Sequence, residues 1–291
     1  METKKYEAFL CSVETGSFTA AAEKMHFTPA GISHMVDSLE ESLGLVLLNR
    51  GKYGVSLTHS GRLCIDQIRN IVRSEQLLKE HAARILGLLK GKVTVGAYYS
   101  VASHWLPAVF RSFLEDYPDV QIELKEGGHQ LLEKWMSESQ VDFCIYTRDP
   151  SSVLEWYPLK SDELVIAVPE SHPFAKLDEV TLEMCEKEKW IIPAAGRDYD
   201  VTDVLGSRIR KFDIQFTTIE NYSAIAMVEQ GLGISMMNRL ITRGLDFKVS
   251  YISLKPRQYV QFGIAVPSLK TASPAAGMLI SYIRRMLAEQ A

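Results

Sequence analysis

The stretch TPAGISHMVDSLEESLGLVLLNR, residues 28–50, opens with two helix-start signals in a row. Thr28 supplies a capping hydroxyl, and Pro29 has the fixed φ and missing N–H that suit a first helical position. Behind them Ile32, Met35, Val36, Leu39 and Leu43 recur on one helical face, and Gly44 stops the helix. Ser33, His34 and Asp37 occupy the opposite, outward face.

Working upstream, Tyr6, Phe9, Leu10 and Val13 form one apolar face of a short helix that Gly16 ends. Ser17 can then cap a second helix, FTAAAEKMHF, whose alanines allow close packing. Downstream, LLNR and VSLT flank the turn Gly51-Lys52-Tyr53-Gly54 and read as a two-stranded wing. Two short helices joined by a tight turn, the second with a small polar outer face, match a helix-turn-helix. Periodicity alone leaves a structural three-helix bundle with a hairpin equally open. In the first reading Thr28, Pro29, Ala30, Ser33 and His34 face DNA, while Arg50 and Lys52 on the wing suit phosphate or minor-groove contact. Charge alone does not suggest DNA. The first sixty residues carry Lys4, Lys5, Lys24, Arg50 and Lys52 against seven carboxylates, and the whole chain has a net charge of −4. Counterion release depends on where cations sit rather than on their total.

Beyond the wing, Thr58 can cap a long helix from about His59 to Leu89. Cys64, Ile68, Ile71, Glu75, Leu78, Ala82, Ile85 and Leu89 fall at alternating steps of four and three, a seam with one polar interruption. Such a stripe packs either on its own domain or on a second chain, and its place between two domains favours the second chain. Arg62, Arg69, Arg73, Lys79, Arg84 and Lys90 make this segment basic.

From Lys92 onward strands and helices alternate, which implies α/β sheets covered by helices. KVTVGA, VQIEL, VDFCIYT, ELVIAV, WIIP, FTTIE, ISMM and VQFGIAV read as strands. Helices are marked by Leu106 to Leu114, by QLLEKWM, by NYSAIAMVEQG and by about Ala275–Glu289. The glycines Gly231 and Gly233 follow a helix and precede a strand, the wrong order for a phosphate fingerprint, so they read as a helix stop.

Several function classes are disfavoured. The 291 residues contain no GxSxG elbow, phosphate-loop lysine motif, HExxH or paired metal cluster, so no enzyme, metal or cofactor is expected. The amino-terminal METKKYEAFL is no signal peptide, and no apolar run has the length of a membrane span. A cytoplasmic protein without membrane contact is expected, with Cys11, Cys64, Cys144 and Cys185 as free thiols.

GSFTAAAEKM, then TPAGISHMVDSLEESLGLVLLNR, then VSLTHSG together resemble the winged helix-turn-helix of LysR-type transcriptional regulators, and the resemblance continues through the rest of the chain. It implies an α/β protein: a winged helix-turn-helix over 1–58, a linker helix over 59–89 that pairs chains, and an effector-binding domain over 90–291 with a periplasmic-binding-protein-like fold. The first lobe would use about 92–163 plus 265–291, and the second about 164–264. Expected partners are double-stranded DNA, a small and possibly anionic effector, and the chain itself as homodimer or homotetramer; a regulator needing no ligand stays open. The family cleft maps onto Ser100, Val101 and Ser103, Gly128 and His129, Thr147 and Arg148, and Asn221. Three positions depart from the family pattern. Pro29 stands where glutamine is common, and Gly31 where alanine is, which moves base readout toward Thr28, Ala30, Ser33 and His34. Asn238 stands where proline is frequent, a change expected to affect only the loop after that strand.

Overall fold

The computed structural model describes residues 3–51, 54–85, 89–148, 152–193, 201 and 204–288, in two compact units, Met1–Lys90 and Gly91–Ala291. In the first unit three helices, α1 (Thr3–Thr15), α2 (Phe18–Met25) and α3 (Pro29–Leu43), precede strands β1 (Leu48–Gly51) and β2 (Gly54–Leu57) and the long helix α4 (His59–Ile85). The caps act as their residue types require. Ser17 accepts from the Ala20 N–H at 3.4 Å, Thr28 accepts from the Gly31 N–H at 3.1 Å, and Gly44 closes α3 at φ 65°. Ala21 and Ala22 are buried, so α2 can sit close to the core formed by Phe9, Ile32, Val36, Leu39, Leu47 and Leu48. The wing is docked on the α1–α2 turn, where the Val55 N–H donates to the Gly16 carbonyl at 2.8 Å. Gly54, at φ +107°, lies so near that a Cβ there would overlap the Gly16 carbonyl oxygen.

Helix α4 starts on this core rather than beside it. The Thr58 hydroxyl accepts from the Gly61 N–H at 2.9 Å and donates to the Val46 carbonyl at 2.7 Å. Cys64, Ile65 and Ile68 then pack into the core of the helix-turn-helix. The seam proposed from sequence is therefore split. Its first two positions, Cys64 and Ile68, belong to the chain's own domain, while Ile71, Leu78 and Ile85 stay 44, 70 and 86% exposed. The expected end of the helix at Leu89 runs across residues 86–88, outside the described ones.

The second unit is built on a seven-stranded mixed sheet. Strands β3 (Gly91–Ala97), β4 (Val120–Glu126) and β5 (Phe143–Thr147) are parallel, with β3 in the middle. Helices α5 (Tyr99–His104) and α6 (Leu106–Asp116) connect β3 to β4, and α7 (His129–Ser137) connects β4 to β5. Two long strands follow, β6 (Glu155–Pro169) and β11 (Val249–Val266), antiparallel to each other. One end of the pair joins β5 through β11, Phe262 opposite Thr147. The other end joins β10 (Ser235–Asn238) through β6, Ser235 opposite Ala167, and the short β7 (Glu179–Val180) through β11. Between these ends, at 162–163 opposite 259–260, only β6 and β11 pair among the described residues.

The remaining elements complete the layers. A short helix, α8 (Leu182–Cys185), precedes a small parallel sheet of β8 (Lys189–Ile192) and β9 (Asp213–Thr217). Helix α9 (Asn221–Glu229) buries Ala224, Ile225 and Val228 against Val165, Ala167 and Met237. Helix α10 (Pro274–Ala288) is tied to α6 by the Tyr282 hydroxyl, which donates to Asp116 at 2.7 Å. ELVIAV and VQFGIAV are thus only the apolar ends of strands 15 and 18 residues long. FTTIE is also displaced: its strand begins at Asp213 and stops at Thr217.

All four cysteines are unpaired, and Cys11, Cys144 and Cys185 are buried. Burial pushes the Cys144 thiol far above its ordinary range and the Cys185 thiol up to about 12, so neither is a ready nucleophile. Among the described residues no helix is long and apolar enough to cross a membrane.

Candidate DNA-binding and effector sites

The amino end of α3 is presented to solvent. Thr28, Pro29, Ala30 and His34 are exposed and Ser33 is half-buried, while Ile32, Val36 and Leu39 of the same helix are buried. These five residues, chosen from sequence, therefore lie together on one surface. Lys52 lies outside the described residues.

Arg50 is engaged within the domain. Its guanidinium contacts Asp37 at 2.6 Å and Glu40 at 2.7 Å, lies 3.4 Å from the Ser33 hydroxyl and sits 5.3 Å from the centre of the Phe18 ring. Burial works against its charge, but the hydrogen bonds and charges of Asp37 and Glu40 outweigh it and raise the Arg50 pKa. The second Glu40 oxygen accepts from the N–H groups of Leu47 and Leu48, at 2.6 and 2.9 Å. Arg50 and Glu40 thus fasten the wing to α3, a role the sequence reading did not assign.

In the second unit the expected effector residues other than Asn221 lie at or just past the carboxyl ends of β3, β4 and β5. Val101 is fully buried, and Ser100, His129 and Thr147 are nearly so, while Ser103, Gly128 and Arg148 are exposed. Ser100 and Ser103 sit inside α5, a separate six-residue helix that ends at Trp105, so they do not head the helix marked by Leu106. Tyr98, which the sequence reading passed over, joins two of the candidate segments. Its hydroxyl lies 3.2 Å from His129 Nδ1 and 3.3 Å from Thr147 Oγ1. His129 Nε2 faces Glu133 at 3.2 Å, and its ring meets Tyr146 edge-on at 4.7 Å. Buried polar groups in such a chain hold one another in place and keep fixed orientations.

Asn221 is the first residue of α9 and half-buried. Its neighbour Glu220 is close to Tyr99. Burial and the charges of Glu220 and Glu126 raise the Tyr99 phenol above its ordinary pKa, and burial raises that of Glu220. At the other end of α5, burial and the charge of Arg243 lower the His104 imidazole. Helix α5 therefore feels charges from both ends of the long strand pair.

Asn238 matters more than a loop position would. It is buried, and its Nδ2 donates to Asp162 at 3.0 Å; the same Asp162 oxygen accepts from the Leu240 N–H at 2.6 Å. Proline there could make neither this side-chain bond nor its own backbone N–H bond. Next along β6, Glu163 accepts from Arg239 at 2.9 Å. Burial would raise the Glu163 carboxyl, but Ser253, Arg239 and Arg257 together hold it below the usual range. Asp162 and Glu163 lie where β6 and β11 pair alone.

The chain matches the family model "Bacterial regulatory helix-turn-helix protein, lysR family" over residues 3–62 and "LysR substrate binding domain" over residues 86–288. It is 26% identical to the uncharacterized transcriptional regulator YvbU of Bacillus subtilis, covering 98% of this chain and 99% of that one. Among solved structures it shares its fold with HinK, a LysR family transcriptional regulator from Pseudomonas aeruginosa, at a TM-score of 0.61 and 23% identity, over 98% of each chain. It also shares the fold of full-length CbnR, solved in complex with its target DNA, at a TM-score of 0.69 and 18% identity, over 98% of this chain and 99% of that one. The chain belongs to the LysR family of DNA-binding transcriptional regulators and carries that family's substrate-binding domain.

Proposed function

We propose that this regulator acts in the cytoplasm as a dimer or a tetramer built from dimers. It reads an interrupted inverted repeat through α3, and a small carboxylated effector seated at the carboxyl ends of β3 and β5 controls it. In this reading Thr28, Pro29, Ala30, Ser33 and His34 meet the bases and the nearby backbone, and Lys52 meets phosphate from the wing tip. Arg50 supports the same surface by holding the wing against α3. The lobe boundary is taken where β6 and β11 pair alone, with Ser100, Val101, Ser103, Gly128, His129, Thr147 and Arg148 on one side and Asn221 on the other.

The observation that carries the effector half is the contact of the half-buried Tyr98 hydroxyl with the buried His129 and Thr147, with buried Ser100 two residues after Tyr98 and exposed Arg148 next to Thr147 in the chain. Hydroxyl donors and a neighbouring guanidinium suit a carboxylate, and the charges of Glu126 and Glu220 felt at Tyr99 disfavour a second negative charge. A thermal-shift screen of small mono- and dicarboxylic acids against the full chain tests this. Monocarboxylates are expected to raise the melting temperature, and Ser100→Ala with Thr147→Val to abolish the rise. Stabilisation by amines alone would sink the carboxylate assignment. The DNA half is tested by selecting duplexes from a random pool. Changes at Ser33 and His34 should alter the selected sequence, and an unaltered selection would move the reading face elsewhere.

A further inference from the structure

Helix α3 approaches a polyanion without basic residues of its own. Residues 29–43 contain no lysine or arginine but do contain Asp37, Glu40 and Glu41. Arg50 is committed to two of those carboxylates, and Lys24 pairs with Glu14 at 2.7 Å. Phosphate neutralisation has to come from cations that flank the helix.

Lys4 is such a cation. It lies exposed in the first turn of α1, and its ammonium is 5.3 Å from the centre of the Phe27 ring. Among the described residues it has no carboxylate partner. Phe27 is the residue immediately before the Thr28 cap, and it is 40% exposed. Its backbone is fixed, since the Phe27 N–H donates to the Ala22 carbonyl at 2.9 Å behind His26 in the left-handed region. The ring therefore offers a firm platform one residue from the start of α3. An aromatic face attracts an ammonium and limits where a flexible lysine can go.

We propose that Lys4 is a phosphate-contact residue and Phe27 the residue that positions it, so that α1 supplies the backbone contact α3 lacks. This rests on α3 being the DNA-reading helix. A lysine held this way recognises phosphate charge and no base, so it adds affinity and salt dependence without adding sequence preference.

The test uses the full chain and a duplex selected by it from a random pool, with affinity measured by fluorescence anisotropy over a range of salt concentrations. Lys4→Gln should make the slope of log affinity against log salt shallower by about 0.9, the contribution of one phosphate contact, while the selected sequence stays the same. Lys4→Arg should keep the slope. Phe27→Leu should weaken binding severalfold in the wild-type background and have no effect in the Lys4→Gln background. An unchanged slope in Lys4→Gln overturns the proposal. Equal losses from Phe27→Leu in both backgrounds overturn the positioning role. Failure of the α3 reading looks different, because Ser33 and His34 changes would then leave the selected sequence intact whatever Lys4 does. Unfolding midpoints of each variant separate a folding defect from a lost contact.

Discussion

Tyr98 and Glu163 both join segments far apart in sequence, so each makes a measurable claim on the second unit's stability. Tyr98→Phe keeps the ring packing against Phe262 but removes the hydroxyl between His129 and Thr147. Leaving two buried groups each short of a partner should cost about 1–3 kcal/mol, read as a lower urea midpoint with an unchanged slope. Glu163 makes a claim about pH. Its carboxyl titrates lower folded than unfolded, so the unfolded chain takes up the proton first on acidification. Its stabilisation is complete above the ordinary carboxylate pKa of about 4.3 and is lost as pH falls below that value. Glu163→Gln should therefore lower stability at pH 7 and flatten the acid limb of the urea midpoint against pH; an unchanged limb would remove Glu163 from the ledger of acid sensitivity. Ser100, His129 and Thr147 were legible through the family resemblance, which maps its cleft onto segments at or just past the ends of β3, β4 and β5. The sequence hid Tyr98 because a tyrosine ending an apolar strand reads as core, and only the fold brings it within reach of residues 31 and 49 positions away.

Among the elements, α4 is where the sequence pattern and the structure divide. A repeat of four and three marks an apolar stripe but cannot say which part of it is covered by the same chain. The stripe's start is covered because the Thr58 cap and the small Gly61 let α4 lie against the Leu47 carbonyl, which a Cβ at Gly61 would overlap. Ile71, Leu78 and Ile85 continue past that core, exposed at steps of seven, and this is the stretch a second copy would cover. Ile71→Asp or Leu78→Asp should split the proposed dimer, because either would bury an unpaired charge, while Cys64→Ser should leave assembly intact. Sedimentation of the full chain checks both; dimers that survive both aspartates would place the interface on another surface. Strands β6 and β11 were hard to read for a related reason. Lys160-Ser161-Asp162 and Lys255-Pro256-Arg257 interrupt the apolar pattern, and the register shifts between Ser253 and Gln258 beside that proline.

At the scale of the whole molecule, the order of elements was legible: winged helix-turn-helix, long helix, then strand–helix alternation. Local caps and periodicity encode that order directly. Long-range pairing was not, and the union of one sheet's two ends by a single pair of strands could not be seen before the fold was known. That union has a mechanical meaning. Where β6 and β11 run alone they form a ribbon two strands wide, which hydrogen bonds make stiff along its length and leave compliant in torsion. The two ends of the sheet can then rotate about the ribbon far more easily than they can separate. Asp162, within the ribbon, holds Asn238 and Leu240 and so ties the segment after β10 to the strand pair. In the proposed reading, an effector that bridges the ends would do its work as torque, delivering an angle rather than a distance.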